Sequence, residues 1–254
     1  MRNSEKVFFK NDAGVKLCGI IDSPKGEDRA VALFSHCFTC TKDLKAIVRI
    51  SRQLAELGVA VLRFDFTGLG DSGGDFSDSN FDSTCDDVRA AFAFVADRLQ
   101  PPALLLGHSL GGAAMMAVAG EFDSVQALAT IASPSSTKHL AEYLEKTNPA
   151  IVGSGAGEVE IGGRTYTLQK QLIDNLRQTD LAASIAELTV PHLILHPLDD
   201  QTLPYWHAEK LFELTGGPGS LITLDESDHL LVERDGEGEF VGELINLWFQ
   251  RVRV

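Results

Sequence analysis

A serine hydroxyl, a carboxylate and an imidazole recur in this chain at the places where acyl-transfer chemistry needs them. Ser109 stands in Gly107-His108-Ser109-Leu110-Gly111, a G-x-S-x-G turn between an apolar run and the small residues Gly112-Ala113-Ala114. So tight a strand-to-helix reversal forces the serine into a strained backbone conformation with its hydroxyl exposed above the sheet. Gly107 and Gly111 answer to crowding, because a Cβ at either would collide with the neighbouring strand or helix. The pattern by itself is common in a chain rich in glycine and serine, so its strand-to-helix setting carries the reading.

A serine hydroxyl is a poor nucleophile at neutral pH and needs a base oriented by a carboxylate. Downstream, HLILH runs into PLDDQTLP, which places Asp199 and Asp200 after a strand. SLITL then leads into DESDHLL, which places His229 before the last helix. The proline of D-x-x-L-P is expected to open the next helix at Pro204. Asp200 then lies one short turn earlier and is preferred over Asp199, which is one place out of phase. Asp225 and Asp228 lie on the loop of His229 itself, where Asp228 reads as a turn former. His36 and His108 read as structural, His108 pointing away from the exposed face of the serine, while His139, His192, His196 and His207 have no comparable context.

The oxyanion of the tetrahedral intermediate needs preorganised backbone donors. One is expected at the amide of Leu110, directly after the nucleophile and at the positive end of its helix. The second is expected at the amide of Phe38, in the loop SHCFTCTKD, with Cys37 letting that loop turn. Cys37 and Cys40 form a C-x-x-C, a spacing used in redox exchange and in zinc sites, but no second ligand pair stands nearby. The pair therefore reads as structural or incidental, with reduced thiols as the default; a bond between the two would reshape the oxyanion hole.

The elements that must position these groups alternate in βαβ fashion from about residue 30 onward, the signature of a mostly parallel sheet. Strands are expected at 7–10, 15–21, 30–35, 59–64, 103–106, 125–132, 192–196 and 221–224. Helices are expected at about 44–57, 82–99, 138–146, 170–177, from Pro204, and 239–252. Between 135 and 190 the alternation breaks into a helix, a flexible GSGAG segment, a hairpin EVEIGGRTYTL turning at Gly162-Gly163, and another helix. No strand of the parallel sheet fits there. This stretch reads as a cap over the carboxyl edge of the strands, where ligands bind in open α/β sheets.

The 254 residues suit a single α/β domain with a sizeable core, and 44% apolar with 23% charged residues reads as globular. A formal charge of -14 repels phosphate backbones and anionic lipid, so a nucleic-acid partner is not expected. No window approaches a membrane span, and the opening MRNSEKVFFKND lacks the features of a signal peptide. Four scattered cysteines do not make a secreted disulfide framework. The cytoplasm is the expected compartment.

Together these residues resemble the α/β-hydrolase superfamily over nearly the whole chain. GHSLG at 107–111 matches its elbow, FDFTGLGDS at 64–72 resembles its D-x-x-G-x-G-x-S turn, and SDHLL at 227–231 its histidine loop. More narrowly, HCFTCTKD at 36–43 and the 158–168 hairpin are similar to the hydrolase half of bacterial proteins that fuse an α/β-hydrolase to an OsmC-like domain. No such second domain is expected here, since the chain ends soon after its last helix. Where that family usually has His-Gly in the oxyanion loop, this chain has His36-Cys37. The resemblance implies an α/β-hydrolase fold over 1–254: a mostly parallel central sheet, helices on both faces and a small cap at about 135–190. It also implies a serine hydrolase, commonly a carboxylesterase acting on small-molecule esters, with no metal or organic cofactor. A peptidase or C–C hydrolase with the same triad, and a non-catalytic binding protein on this scaffold, are the alternatives. Ser109 excludes the relatives that use a carboxylate nucleophile at the elbow.

Overall fold

Strands buried on both faces read as unbroken apolar runs, and this chain has several. The computed structural model describes residues 3–253; Met1, Arg2 and Val254, the extremes of the expected 1–254 domain, lie outside them. β1 (Asn3–Lys10) and β2 (Lys16–Ser23) form an antiparallel pair whose connection uses Gly14 at φ 78°. Both are longer than their hydrophobic pattern suggests. The exposed residues from Asn3 to Lys6 are held by backbone pairing and by side-chain bonds of Ser4 to Asp22, Glu5 to Arg98 and Lys6 to Asp71.

β3 (Ala30–Ser35) is buried throughout, and α1 (Lys45–Glu56) returns the chain to β4 (Val59–Phe64). α2 (Phe81–Arg98) starts at an Asn80 cap whose side chain accepts from the Ser83 amide, while Ser83 accepts from the Asn80 amide in return. β5 (Leu104–His108) runs into α3 (Leu110–Val118), and β6 (Ala127–Ile131) follows. The next stretch holds α4 (Lys138–Thr147), α5 (Ala150–Gly153), β7 (Ala156–Ile161), β8 (Arg164–Gln169), α6 (Lys170–Gln178) and α7 (Leu181–Ala186). The chain then returns to the main fold with β9 (His192–Pro197), α8 (Trp206–Leu214), β10 (Gly219–Leu224) and α9 (Glu237–Val252).

The large sheet has eight strands in the order β1-β2-β4-β3-β5-β6-β9-β10. It is antiparallel from β1 to β4 and parallel from there on. Chain order reverses beside β3, whose neighbours are β4 and β5. Ser35 at the end of β3 pairs with Gly107 near the end of β5, so the loops leaving these two strands start side by side. Alternate residues of each strand face two apolar layers. Ala46, Ile47 and Ile50 of α1 with Val241, Ile245 and Phe249 of α9 cover one face, and α2, α3 and α8 cover the other.

Neither β7 nor β8 joins the large sheet; they pair with each other, and Gly162 and Gly163 both take positive φ in the two-residue turn between them. The 138–186 stretch is tied to the start of α2 and to the loop after β3. Asn80 donates to Gln171 across 2.6 Å, Asn175 donates to Asp82 across 2.7 Å, and the Tyr166 hydroxyl donates to the Thr39 carbonyl across 3.2 Å.

Two local expectations are corrected, and two short helices are added. α8 begins at Trp206 after a turn at Pro204, because the His207 amide bonds the Pro204 carbonyl in a three-residue reach. The expected flexible GSGAG segment spans the end of α5 and the start of β7, with Gly155 at φ 90° between them. The short helices α5 and α7 carry too few turns to register as periodicity.

Candidate active site

Ser109 has φ 53° and ψ −123°, a strained conformation for a non-glycine residue, and its amide donates to the Ile131 carbonyl of β6 across 2.9 Å. The turn closes this tightly because three glycines leave room. A Cβ on Gly111 would overlap the carbonyls of Ser35 and His36, and one on Gly112 would overlap the Ser133 side chain.

The three side chains singled out in the sequence come together at the carboxyl edge of the sheet. His229 Nε2 lies 3.2 Å from Ser109 Oγ, and His229 Nδ1 lies 2.6 Å from Asp200 Oδ2. A proton on Nδ1 is donated to the carboxylate, which leaves Nε2 free to accept from the serine hydroxyl. The other oxygen of Asp200 accepts from the amides of Thr202 and Leu203, each at 2.8 Å. Burial alone would raise the Asp200 pKa, but the bond and charge of His229 together with those two amides outweigh it and hold the carboxyl below its usual value. Asp199 is exposed, with its carbonyl capped by Gln201. Asp228 turns its carboxylate onto the amides of Leu230, Val232 and Glu233, as a turn former does.

His108 does more than fill space. Its Nε2–H donates to the backbone carbonyl of His229 across 2.7 Å, so a ring in the elbow anchors the loop that carries the His229 imidazole. Burial, then the nearby His229, lowers its pKa to about 3, which keeps it neutral. No sequence signal pairs two groups 121 residues apart.

Phe38 lies in the loop after β3, and Leu110 stands at the start of α3 after β5, the adjacent strand. Leu110 is the first residue of α3, so its amide has no acceptor within the helix. The Phe38 loop is fastened at both ends. His36 is buried, donates from Nδ1 to the Cys37 carbonyl at 2.8 Å and accepts from the Phe66 amide at 3.3 Å. Burial lowers its pKa to about 4. At the far end the buried Lys42 donates its amide and its ammonium to Asp65, at 2.7 and 2.8 Å. That ammonium also meets Asp71 and Asp43, and these carboxylates raise the Lys42 pKa although burial opposes them. Arg63 adds a bond to the Lys42 carbonyl and ion pairs to Asp22 and Asp43. Cys18, Asp65 and Asp71 have the spacing of a metal site, but the Lys42 ammonium already binds both carboxylates.

Cys37 and Cys40 are joined in a disulfide, with Cα atoms 5.3 Å apart, which corrects the expectation of reduced thiols. The four-residue turn, closed by the Cys40 amide on the Cys37 carbonyl at 3.2 Å, brings the two sulfurs face to face. Cys18 and Cys85 are free and buried. Beside Leu110 and Phe38 lies a cavity of about 20 Å³ walled by Phe66, Phe76, Phe81 and Leu172.

The family model Hydrolase_4, described as "Serine aminopeptidase, S33", matches residues 27–154. The esterase domain of a Rhodothermus marinus protein is 38% identical in its crystal structure, with a TM-score of 0.77 and 98% of each chain covered. The uncharacterized protein YfhR of Escherichia coli O157:H7 is 29% identical over 246 residues, 95% of this chain and 78% of that protein. The mitochondrial palmitoyl-protein thioesterase ABHD10 of Homo sapiens is 27% identical over 224 residues, 83% of this chain and 70% of that protein. Among the described residues no helix is long and apolar enough to cross a membrane. The elbow, the eight-stranded sheet and these matches agree: the chain belongs to the α/β-hydrolase superfamily, in the serine-hydrolase family of that model.

Proposed function

We propose that this α/β hydrolase is a carboxylesterase working through an acyl-serine intermediate. Ser109 attacks the ester carbonyl as His229 Nε2 takes the hydroxyl proton, and Asp200 stabilises the imidazolium. The amides of Phe38 and Leu110 hold the oxyanion. His229 returns the proton to the departing alcohol, and water then repeats the sequence on the acyl-serine. The observation that carries this reading is the contact pair at His229, 3.2 Å to Ser109 and 2.6 Å to Asp200.

We read the ester as a small molecule with a short acyl group; the narrow, aromatic-walled cavity beside Phe38 and Leu110 supports this reading. No cofactor takes part in this scheme. We read 1–254 as one domain and 135–190 as its cap, supported by the Tyr166 hydroxyl on the oxyanion loop, and we assign the protein to the cytoplasm.

Hydrolysis of p-nitrophenyl acetate by the wild type, lost in Ser109→Ala, is the expected result; equal rates in the two proteins would remove the reading. The description of the matching family favours a second reading, an aminopeptidase with the same triad. Aminoacyl p-nitroanilides cleaved faster than acetate esters would establish that reading instead.

A further inference from the structure

The loop after β3 carries a reversible covalent bond at the point where the second oxyanion donor lies. Phe38 sits inside the ring closed by Cys37 and Cys40. The other fastenings act mainly at the ends of the loop: His36 on Phe66 at one, Lys42 on Asp65 and Arg63 at the other. Between them the disulfide is joined by the Cys40 amide on the Cys37 carbonyl and by the Tyr166 hydroxyl on the Thr39 carbonyl. Thr39 is held at φ 61°, a region that a β-branched residue avoids. Cys37 is buried and lines the cavity, while Cys40 is partly exposed, so a thiolate from solvent reaches Cys40 first.

We propose that the Cys37–Cys40 disulfide is a redox site for a dithiol reductant, its closed form assembling the oxyanion hole and its open form disabling it. The effect on rate rests on the ester-hydrolase reading above. One thiolate of the dithiol attacks Cys40 Sγ, and the electron pair of the protein disulfide leaves on Cys37 Sγ. The second thiol of the reductant then displaces Cys40 from the mixed disulfide. The products are two protein thiols and one oxidised dithiol, with two electrons and two protons passed to the protein. Once the ring opens, Thr39 relaxes out of the left-handed region and carries the neighbouring Phe38 peptide with it. Cys18 and Cys85 are buried, and burial pushes the Cys85 thiol up to about 12, so neither competes as a thiolate. In a reducing compartment a disulfide is characteristically a transient, functional state, whereas an inert brace belongs to an oxidising one.

The test equilibrates the full chain in buffers poised from oxidised to reduced dithiothreitol. Each sample is read three ways: thiols alkylated after denaturation, by intact mass; amide exchange over 36–43; and p-nitrophenyl acetate hydrolysis. The expected result is two thiols in the oxidised form, those of Cys18 and Cys85, and all four cysteines in the reduced form. Exchange over 37–41 rises on reduction, kcat falls about tenfold or more with KM little changed, and reoxidation restores both. Cys37→Ala/Cys40→Ala stays at the reduced level in every buffer, and Cys18→Ala/Cys85→Ala titrates like its parent. Four thiols at both extremes overturn the proposal, and so does a change in thiol count that leaves exchange and rate where they were. If neither form hydrolyses any ester, the esterase reading fails on its own, and exchange over 37–41 alone decides whether the disulfide holds the loop.

Discussion

His108 holds the backbone of His229: its Nε2–H donates to the His229 carbonyl across 2.7 Å while the two rings lie 5.2 Å apart. The turn that holds Ser109 thereby sets the position of His229. His108→Phe keeps the bulk, removes the donor and leaves a carbonyl unpaired, a change worth about 1–3 kcal/mol. The expected outcome is a fall in kcat of about tenfold for p-nitrophenyl acetate with KM little altered. An unchanged kcat in steady-state kinetics would show that the His229 loop needs no such anchor.

The two adjacent aspartates are expected to behave very differently. Asp200→Asn removes the group that fixes the His229 tautomer and is expected to lower kcat by about 10⁴. Asp199→Asn changes an exposed side chain and is expected to leave kcat within about twofold. Parallel rate measurements on the two variants decide the assignment, and equal losses would contradict it.

Lys42 is almost wholly buried against Asp65. Replacing it by methionine strands the Asp65 carboxylate, which is expected to cost about 3–5 kcal/mol. Urea unfolding followed by circular dichroism measures this, and a midpoint unchanged from the parent's would mean that the ion cluster does not hold the loop.

Stability is expected to fall in mild acid. His36, His108 and His192 are fully buried, and burial lowers their pKa values to about 4, 3 and 3 from the usual 6.5. Each group's stabilising contribution is therefore complete above pH 6.5 and is lost as the pH falls toward the folded value, because the unfolded chain takes up protons that the folded chain refuses. The slope is up to about 1.4 kcal/mol per pH unit for each group. Thermal scans from pH 7.5 to 4.5 should show a falling Tm; a flat profile would contradict neutral, buried imidazoles.

Acyl-chain length should limit turnover. Rates are expected to decline from acetate through butyrate to octanoate esters, and Leu172→Ala, which removes part of the cavity wall, should recover the butyrate rate by about tenfold. A panel of p-nitrophenyl esters that favours octanoate would contradict a short acyl site.

What the sequence could disclose was governed by range. Unbroken apolar runs such as AVALFS and VAVLRF show as buried strands because both faces of a central parallel strand are covered. The GHSLG turn is legible because its glycines answer to local crowding. The phase between Asp200 and the following turn is legible too, although the helix starts two residues beyond Pro204. By contrast, the bonds of His108 to His229, Lys42 to Asp65 and Tyr166 to Thr39 join residues far apart in the chain, and no local pattern announces them. The Cys37–Cys40 spacing was visible, but the turn that sets the two sulfurs together depends on a left-handed Thr39, which sequence does not foretell.

The central claim is that Ser109 is the residue that becomes acylated. The most direct measurement is treatment with a fluorophosphonate probe followed by intact mass and peptide mapping. The account predicts one adduct on the peptide bearing Ser109, with ester hydrolysis lost in proportion to labelling. An adduct on another residue, or full hydrolysis persisting in protein fully labelled at Ser109, would contradict it.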